Sequence, residues 1–348
     1  MSIRVLVVDD SALIRDVLKK MLEREGDITV VGTARDPMEA REKIKALDPD
    51  VVTLDIEMPN MNGLAFLERL MRLRPTPVVM VSTLTTKGAS ETLLALELGA
   101  VDFVAKPNAD LSGGLETFGI GLRERIRAAA RADVRARSQR ETGTQAPLKW
   151  AGSPSGALIA IGASTGGVEA IRAVLTRLPA DAPPIAIAQH MPAGFTSRFA
   201  ARLNELCPHT VVEAEDRMQM RAGHVYIAPG DYHLRIERSS GILKCRVEHD
   251  ELTSGHRPSV DVLFSSVAKA LGSLAVGVLL TGMGRDGATG LGEMRKAGAH
   301  TIGQNQASAL VYGMPRVAFE EGAVVEQAPI DAVAERVVHA LTRLRKAA

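Results

Sequence analysis

Residues 3–22 read IRVLVVDDSALIRDVLKKML. An apolar run, Ile3–Val8, leads into the acid pair Asp9-Asp10. Beyond it, Leu13, Ile14, Val17, Leu18, Met21 and Leu22 recur at the spacing of one helical face. Ser11 stands where a helix cap belongs. A strand, an acidic turn and an amphipathic helix therefore open the chain, and the pattern repeats. Further strand candidates lie at 28–31, 51–54, 77–81 and 101–105, with helical stretches between them. Near-continuous apolar strands alternating with helices predict a parallel sheet covered on both faces.

From about 122 the character changes. Arginines at 123, 125, 127, 131, 135, 137 and 140 alternate with alanine and acids, and ETGTQAPLKWAGSPSG follows at 141–156. This reads as a last helix with a solvated basic face running into a polar linker. The alternation then resumes. Strands are expected at 157–161, 184–188 and 276–280, and helices at 168–178, 195–206, 259–270, 288–297 and 331–345. Short β segments cluster at 211–214, 225–228, 234–237 and 243–247. The expected organisation is an α/β domain over 1–122, a linker over 123–156 and a doubly wound α/β domain with a β-rich insertion over 157–348.

Composition narrows the function classes. Of 348 residues, 46% are apolar and 24% charged, which excludes wholesale disorder. Lys+Arg 42 against Asp+Glu 41 argues against nucleic acid as the main partner. The two cysteines, Cys207 and Cys245, form no CxxC, so neither a disulfide framework nor a zinc site is expected. No apolar run approaches about 20 residues, and the N-terminus runs straight into strand and acids rather than a leader. A cytoplasmic protein without nucleic-acid partner or membrane insertion is the expectation.

Asp9 and Asp10 fall at the carboxyl end of the first strand and Asp55 at that of the third, where a doubly wound sheet binds its ligands. Three carboxylates crowded there call for a hard cation, and Mg²⁺ suits two carboxylates and a carbonyl. Ser82 after the fourth strand and Lys106 after the fifth add a hydroxyl and an ammonium. The set suits phosphoryl capture, with Asp55 as the attacking carboxylate.

In the second domain, IGASTGG (161–167) sets Ser164 between a strand and a helix N-terminus, whose free N–H groups can stabilise negative charge. The glycines permit a tight turn and close approach of a substrate. The text fits GxSxG, although phosphate-binding glycine turns look similar. No P-loop lysine follows and GxGxxG is absent, which tells against a nucleotide. A serine nucleophile needs a base, and the base an orienting acid. Of eight histidines, His190 ends the next apolar strand and so reaches the same sheet edge; His256, in SGHRPSVD, is its rival. The other six read as surface residues. Asp286, after VGVLLTGMGR, is placed to orient the imidazole, to cap the following helix, or both.

LVVDDSALIR, LDIEMPNMNGL and FVAKP resemble the response-regulator receiver family over roughly 1–122. The resemblance implies a flavodoxin-like (βα)5 fold, phosphorylation of Asp55 by a histidine kinase, and Mg²⁺ held by Asp9 and Asp10 with Asp55. It also implies a switch at Ser82 and Phe103, and contact of Lys106 with the phosphoryl group. Asn62 departs from the family, many members of which carry Asp there. IGASTGG, QHMPAGFT, APGDYHL, SGHRPSVDVLF and LLTGMGRDGA together look like the CheB family of chemotaxis protein-glutamate methylesterases, and that likeness covers essentially the whole chain. It implies Ser164 as nucleophile, His190 as general base and acid, Asp286 as orienting carboxylate and the Met283 region as oxyanion-stabilising backbone. It further implies demethylation and deamidation of methyl-accepting chemoreceptors at their cytoplasmic parts, with no cofactor in the esterase half. Inhibition by the unphosphorylated receiver belongs to the same likeness, and a monomer is expected. A DNA-binding regulator would need a helix-turn-helix, and none is evident. An inactive adaptor and an esterase for another acylated protein are the remaining rivals.

Overall fold

The computed structural model describes residues 2–58, 62–82, 86–106, 114–132, 134, 146–150, 152 and 156–347, the side chains of 82, 86, 87, 114, 346 and 347 excepted. The chain divides into two compact units, Met1–Thr142 and Gly143–Ala348. In the first, strands β1 (Ile3–Val8), β2 (Ile28–Ala34), β3 (Val51–Asp55), β4 (Val78–Ser82) and β5 (Asp102–Ala105) alternate with helices. These are α1 (Ala12–Glu23), α2 (Pro37–Leu47), α3 (Gly63–Leu73), α4 (Thr86–Glu97) and α5 (Gly114–Ala130). All neighbours pair in parallel, in the order β2-β1-β3-β4-β5. Val5, Leu6, Val7, Val51, Val52, Leu54, Val78 and Val79 are buried. With so few aromatics, the sheet is held by close-packed aliphatic side chains.

Local signals behave as expected. Ser11 caps α1 by accepting from the Ile14 N–H, and Asn62 caps α3 by accepting from the Leu64 N–H. Gly63 is required by close approach, because a Cβ there would stand 2.2 Å from the Asp55 carbonyl oxygen. The basic face of α5 is more than a solvated one. Arg123 is 3% exposed and donates to Glu25 and the Met21 carbonyl, while Arg127 donates to Asp27 and Glu25. That helix overlaps the stretch expected as linker, and most of the remainder lies outside the described residues.

The second unit contains β6 (Leu158–Ala163), α6 (Gly167–Leu175), β7 (Ile185–Gln189), α7 (Phe195–Leu206), β8 (Thr210–Glu213) and β9 (His224–Ile227). The hairpin β10 (His233–Ser239) and β11 (Ile242–Glu248) follows, then α8 (Val260–Leu271), β12 (Ala275–Leu279) and α9 (Ala288–Lys296). The chain ends with β13 (His300–Gln304), α10 (Met314–Glu320), β14 (Glu326–Ala328) and α11 (Ile330–Ala347). Seven parallel strands run in the order β14-β13-β12-β6-β7-β9-β8. Of the four short β segments, β8 and β9 complete the main sheet, and only the antiparallel pair β10-β11 stands apart from it. β13, α10 and β14 were not foreseen: HTIGQ is broken by glycine and histidine, and β14 has three residues.

The strand order reverses between β1 and β3 in the first unit and, at the centre of the second sheet, between β6 and β12. A crevice opens at such a point beyond the carboxyl ends of the strands. Asp9 and Asp55 flank the first; Ser164 and, past Leu279, the loop leading to Asp286 flank the second.

Candidate active site

Ser164 leaves β6 at its carboxyl end and is partly exposed. Its N–H donates to the Thr281 carbonyl and its own carbonyl accepts from Gly167 N, so the turn is pinned on both sides. Gly166 adopts φ +77°, a left-handed conformation in which a side chain would be strained. His190 follows β7, beside β6 in the sheet, with its side chain 6% exposed. Its Nδ1 lies 3.1 Å from Ser164 Oγ and its Nε2 2.7 Å from Asp286 Oδ2. The carboxylate requires a proton on Nε2, which leaves the Nδ1 lone pair facing the hydroxyl. The ring is therefore turned end for end relative to the chymotrypsin-type arrangement, with the same chemical relay.

Asp286 is 2% exposed and heavily solvated by protein donors. Besides His190, it accepts from Ser259 Oγ at 2.8 Å, Val260 N at 2.7 Å and Asp261 N at 3.0 Å. Three of its four partners thus belong to the first turn of α8, where free N–H groups favour an anion. Burial alone would raise its pKa; the histidine and the backbone donors outweigh burial and lower it to about 2. Asp261, the second residue of α8, goes the other way. Burial and the neighbouring Asp286 push it up to about 6, against the Gly290 N–H that it accepts at 2.7 Å.

His256 is not the residue facing Ser164. Its ring stacks on His190, centroids 3.7 Å apart and planes 17° from parallel. Two histidines expected on the surface are buried instead. His209 donates to the Pro179 carbonyl; His233 donates to the Glu251 carbonyl and accepts from Ser259 N. Gln189 carries a signal that sequence reading passed over. Its amide donates to the carbonyls of Ser164 (3.0 Å) and His190 (3.2 Å), tying the two loops together. A Cβ at Gly167 would lie 2.0 Å from its Oε1, so that glycine makes room for the clamp. The cap pattern Ser-Val-Asp before the apolar run of α8 was the one local hint of the shell around Asp286.

The loop after β12 passes against the serine: a Cβ on Gly282 would be 2.8 Å from Ser164 Cβ. Thr281 N donates to Gln304 Oε1 and Gly282 N to the Val311 carbonyl. Among the described residues, no acceptor is recorded for the Met283 N–H that follows.

In the first unit, carboxylate oxygens of Asp9, Asp10 and Asp55 lie within 4.8 Å of one another, with Asp9 and Asp55 buried and Asp10 exposed. Lys106 Nζ bridges two of them, 2.9 Å from Asp9 Oδ2 and 2.8 Å from Asp55 Oδ2. Burial, opposed by Lys106 and assisted by the charge of Asp9, raises Asp55 to about 6. Burial opposes the charge on Lys106, but the two carboxylates outweigh it and raise its pKa. Hard oxygen donors with one open to water fit the needs of Mg²⁺. Phe103 is buried in β5; Ser82 ends β4, and its side chain, like Pro107, lies outside the described residues.

The family model for the CheB methylesterase matches residues 159–337, and that for the response regulator receiver domain matches 5–112. The protein-glutamate methylesterase/protein-glutamine glutaminase 1 of Caulobacter vibrioides is 56% identical over 338 residues, 97% of either chain. The protein of that name, without a number, from Chromohalobacter salexigens is 54% identical over 93% of this chain and 92% of its own. The crystal structure of the Thermotoga maritima CheB methylesterase catalytic domain aligns with a TM-score of 0.52 at 35% identity, over 53% of this chain and 99% of that one. Among the described residues, no helix is long and apolar enough to cross a membrane.

Proposed function

The chain belongs to the CheB methylesterase family and carries a response regulator receiver domain, and from that premise we propose a phosphorylation-activated serine hydrolase that demethylates glutamate methyl esters on chemoreceptors. The observation that carries the reading is the line Ser164–His190–Asp286, at 3.1 and 2.7 Å. His190 Nδ1 takes the Ser164 proton as Oγ bonds to the ester carbonyl carbon. The resulting oxyanion accepts from the Met283 N–H. Collapse breaks the bond to methoxide, which leaves as methanol with the proton from His190. Water, deprotonated by the same nitrogen, then attacks the acyl-enzyme, the acyl–Oγ bond breaks as His190 returns that proton to Ser164 Oγ, and the glutamate carboxylate is freed. Asp286 keeps Nε2 protonated and stabilises the imidazolium without changing its own protonation. A glutamine side chain would follow the same course with ammonia leaving, which is the deamidase activity named for the relatives.

In the receiver domain, Asp55 is the proposed acceptor of a phosphoryl group from a histidine kinase. Lys106 neutralises charge on it, while Ser82 and Phe103 relay the change. Asp9, Asp10 and Asp55 would hold Mg²⁺, which when bound offsets the charge of the transferring phosphoryl group. The esterase residues need no cofactor. We place the enzyme in the cytoplasm as a monomer, acting on the cytoplasmic parts of its receptors, with a receiver that runs through the end of α5, a linker beyond it and the esterase over 157–348.

The test is methanol release from methylated receptor membranes. Wild type should turn over, and Ser164→Ala should fall by at least about a thousandfold. Full activity in Ser164→Ala would remove the assignment.

A further inference from the structure

Two hydrogen bonds leave one freedom in His190. They orient the ring between Ser164 Oγ and Asp286 Oδ2, but hydrogen bonds bend easily and resist tilting about the Cβ–Cγ bond only weakly. Such tilt swings both nitrogens out of line with their partners, and proton transfer is sensitive to that misplacement. What limits tilt is whatever lies against the faces of the ring. On one face that is His256, centroids 3.7 Å apart and planes at 17°.

His256 is itself held. It exchanges two backbone hydrogen bonds with Thr253, at 3.2 and 3.0 Å. The next residue, Arg257, is pinned by Asp231 Oδ1 from Nε at 3.1 Å and from Nη2 at 2.6 Å. Three residues past His256, Ser259 begins the set of donors around Asp286. One short segment, 256–261, thus lies on the face of the base and encloses the acid. Its stacked ring is off the Ser164–Asp286 line, which is occupied at both ends by His190, so it has no place in the proton relay.

Resting on the esterase reading above, we infer that His256 is a positioning residue: a flat platform that holds the His190 imidazole in the plane required for transfer between Ser164 and Asp286. What it supplies is a ring face and not a proton, so the full-length chain should accept phenylalanine there but not alanine. In methanol release from methylated receptor membranes, His256→Ala should lower kcat by about tenfold to a hundredfold with KM within about twofold. His256→Phe should recover to within about threefold of wild type. The NMR signal of the His190 Cε1–H should carry an upfield ring-current shift in wild type and in His256→Phe, and lose it in His256→Ala. Wild-type kcat in His256→Ala overturns the inference. So does a His256→Phe protein that keeps the ring-current shift yet is as slow as His256→Ala, because the imidazole nitrogens would then be what matters. If wild type released no methanol while binding the membranes, the esterase reading would fall and this inference with it.

Discussion

Asp286, buried, and Asp261, half-buried, lie side by side at the start of α8, and their environments drive them apart. Asp286 has His190 and three donors, and its pKa falls to about 2 from 3.8. The lowered folded value means that its contribution to stability is present above about 4 and is lost as pH falls toward 2. Asp261 is raised from 3.8 to about 6. The folded state therefore resists its ionisation, and the penalty grows as pH climbs from about 4 to about 6. Asp261→Asn keeps an oxygen for the Gly290 N–H and removes that penalty. Urea melts at pH 7 should show a gain on the order of 1 kcal/mol that vanishes by pH 4. A loss at pH 7 would mean that Asp261 is held as a favourable helix-terminus anion instead. Asp286→Asn has the opposite character, since an amide facing Nε2 permits the wrong tautomer. Its kcat should drop by about 10⁴ with KM little changed, read by methanol release.

Elements explain which parts of this arrangement could be read in advance. Strand–helix alternation in the first unit, the Ser11 cap and the helix Phe195–Leu206 follow from local periodicity, and they agree with the observed bounds. The sheet edge shared by Ser164 and His190 follows from two consecutive buried parallel strands. The shell around them was not legible, because it depends on contacts across long separations. Gln189 reaches back 25 residues to the Ser164 carbonyl, and Ser259 reaches forward 27 to Asp286. His256 lies within the segment that feeds α8, yet its stacking partner ends a different strand. β13 and β14 escaped notice because parallel pairing, not their own composition, makes them strands. The β6–α6 junction is the element where shell and backbone meet. Gly167→Ala would place a Cβ 2.0 Å from Gln189 Oε1 and 2.7 Å from Ala163 Cβ. One of the two neighbours must move, and the buried amide has nowhere open to go. Thermal melts should report destabilisation of about 1–3 kcal/mol, with kcat falling further than stability alone explains. A Gly167→Ala protein as stable and active as wild type would show that the Gln189 clamp is dispensable.

At the scale of the molecule, the two crevices hold unlike chemistry on separate sheets. The Asp9–Asp55–Lys106 cluster has the charges that suit phosphoryl capture, and the line from Ser164 through His190 to Asp286 has the donors and acceptors that suit ester hydrolysis. Under the proposed function, control of one by the other would be a shift in a conformational equilibrium, driven by contacts that the phosphoryl group makes better in one state than in the other. A shift from 1:99 to 99:1 would require about 5.5 kcal/mol of such preference, and each reduction of about 1.4 kcal/mol lowers the final ratio tenfold. The measurable quantity is the ratio of methanol release with and without a small phosphodonor. In wild type with Mg²⁺ that ratio should exceed one, and in Asp55→Asn it should equal one. Chelating divalent metal should abolish stimulation yet leave methanol release itself, because the esterase residues form a complete proton relay without a cation. If chelation stopped both together, the metal would have to serve the serine site as well, and the division of labour between the two sheets would be wrong.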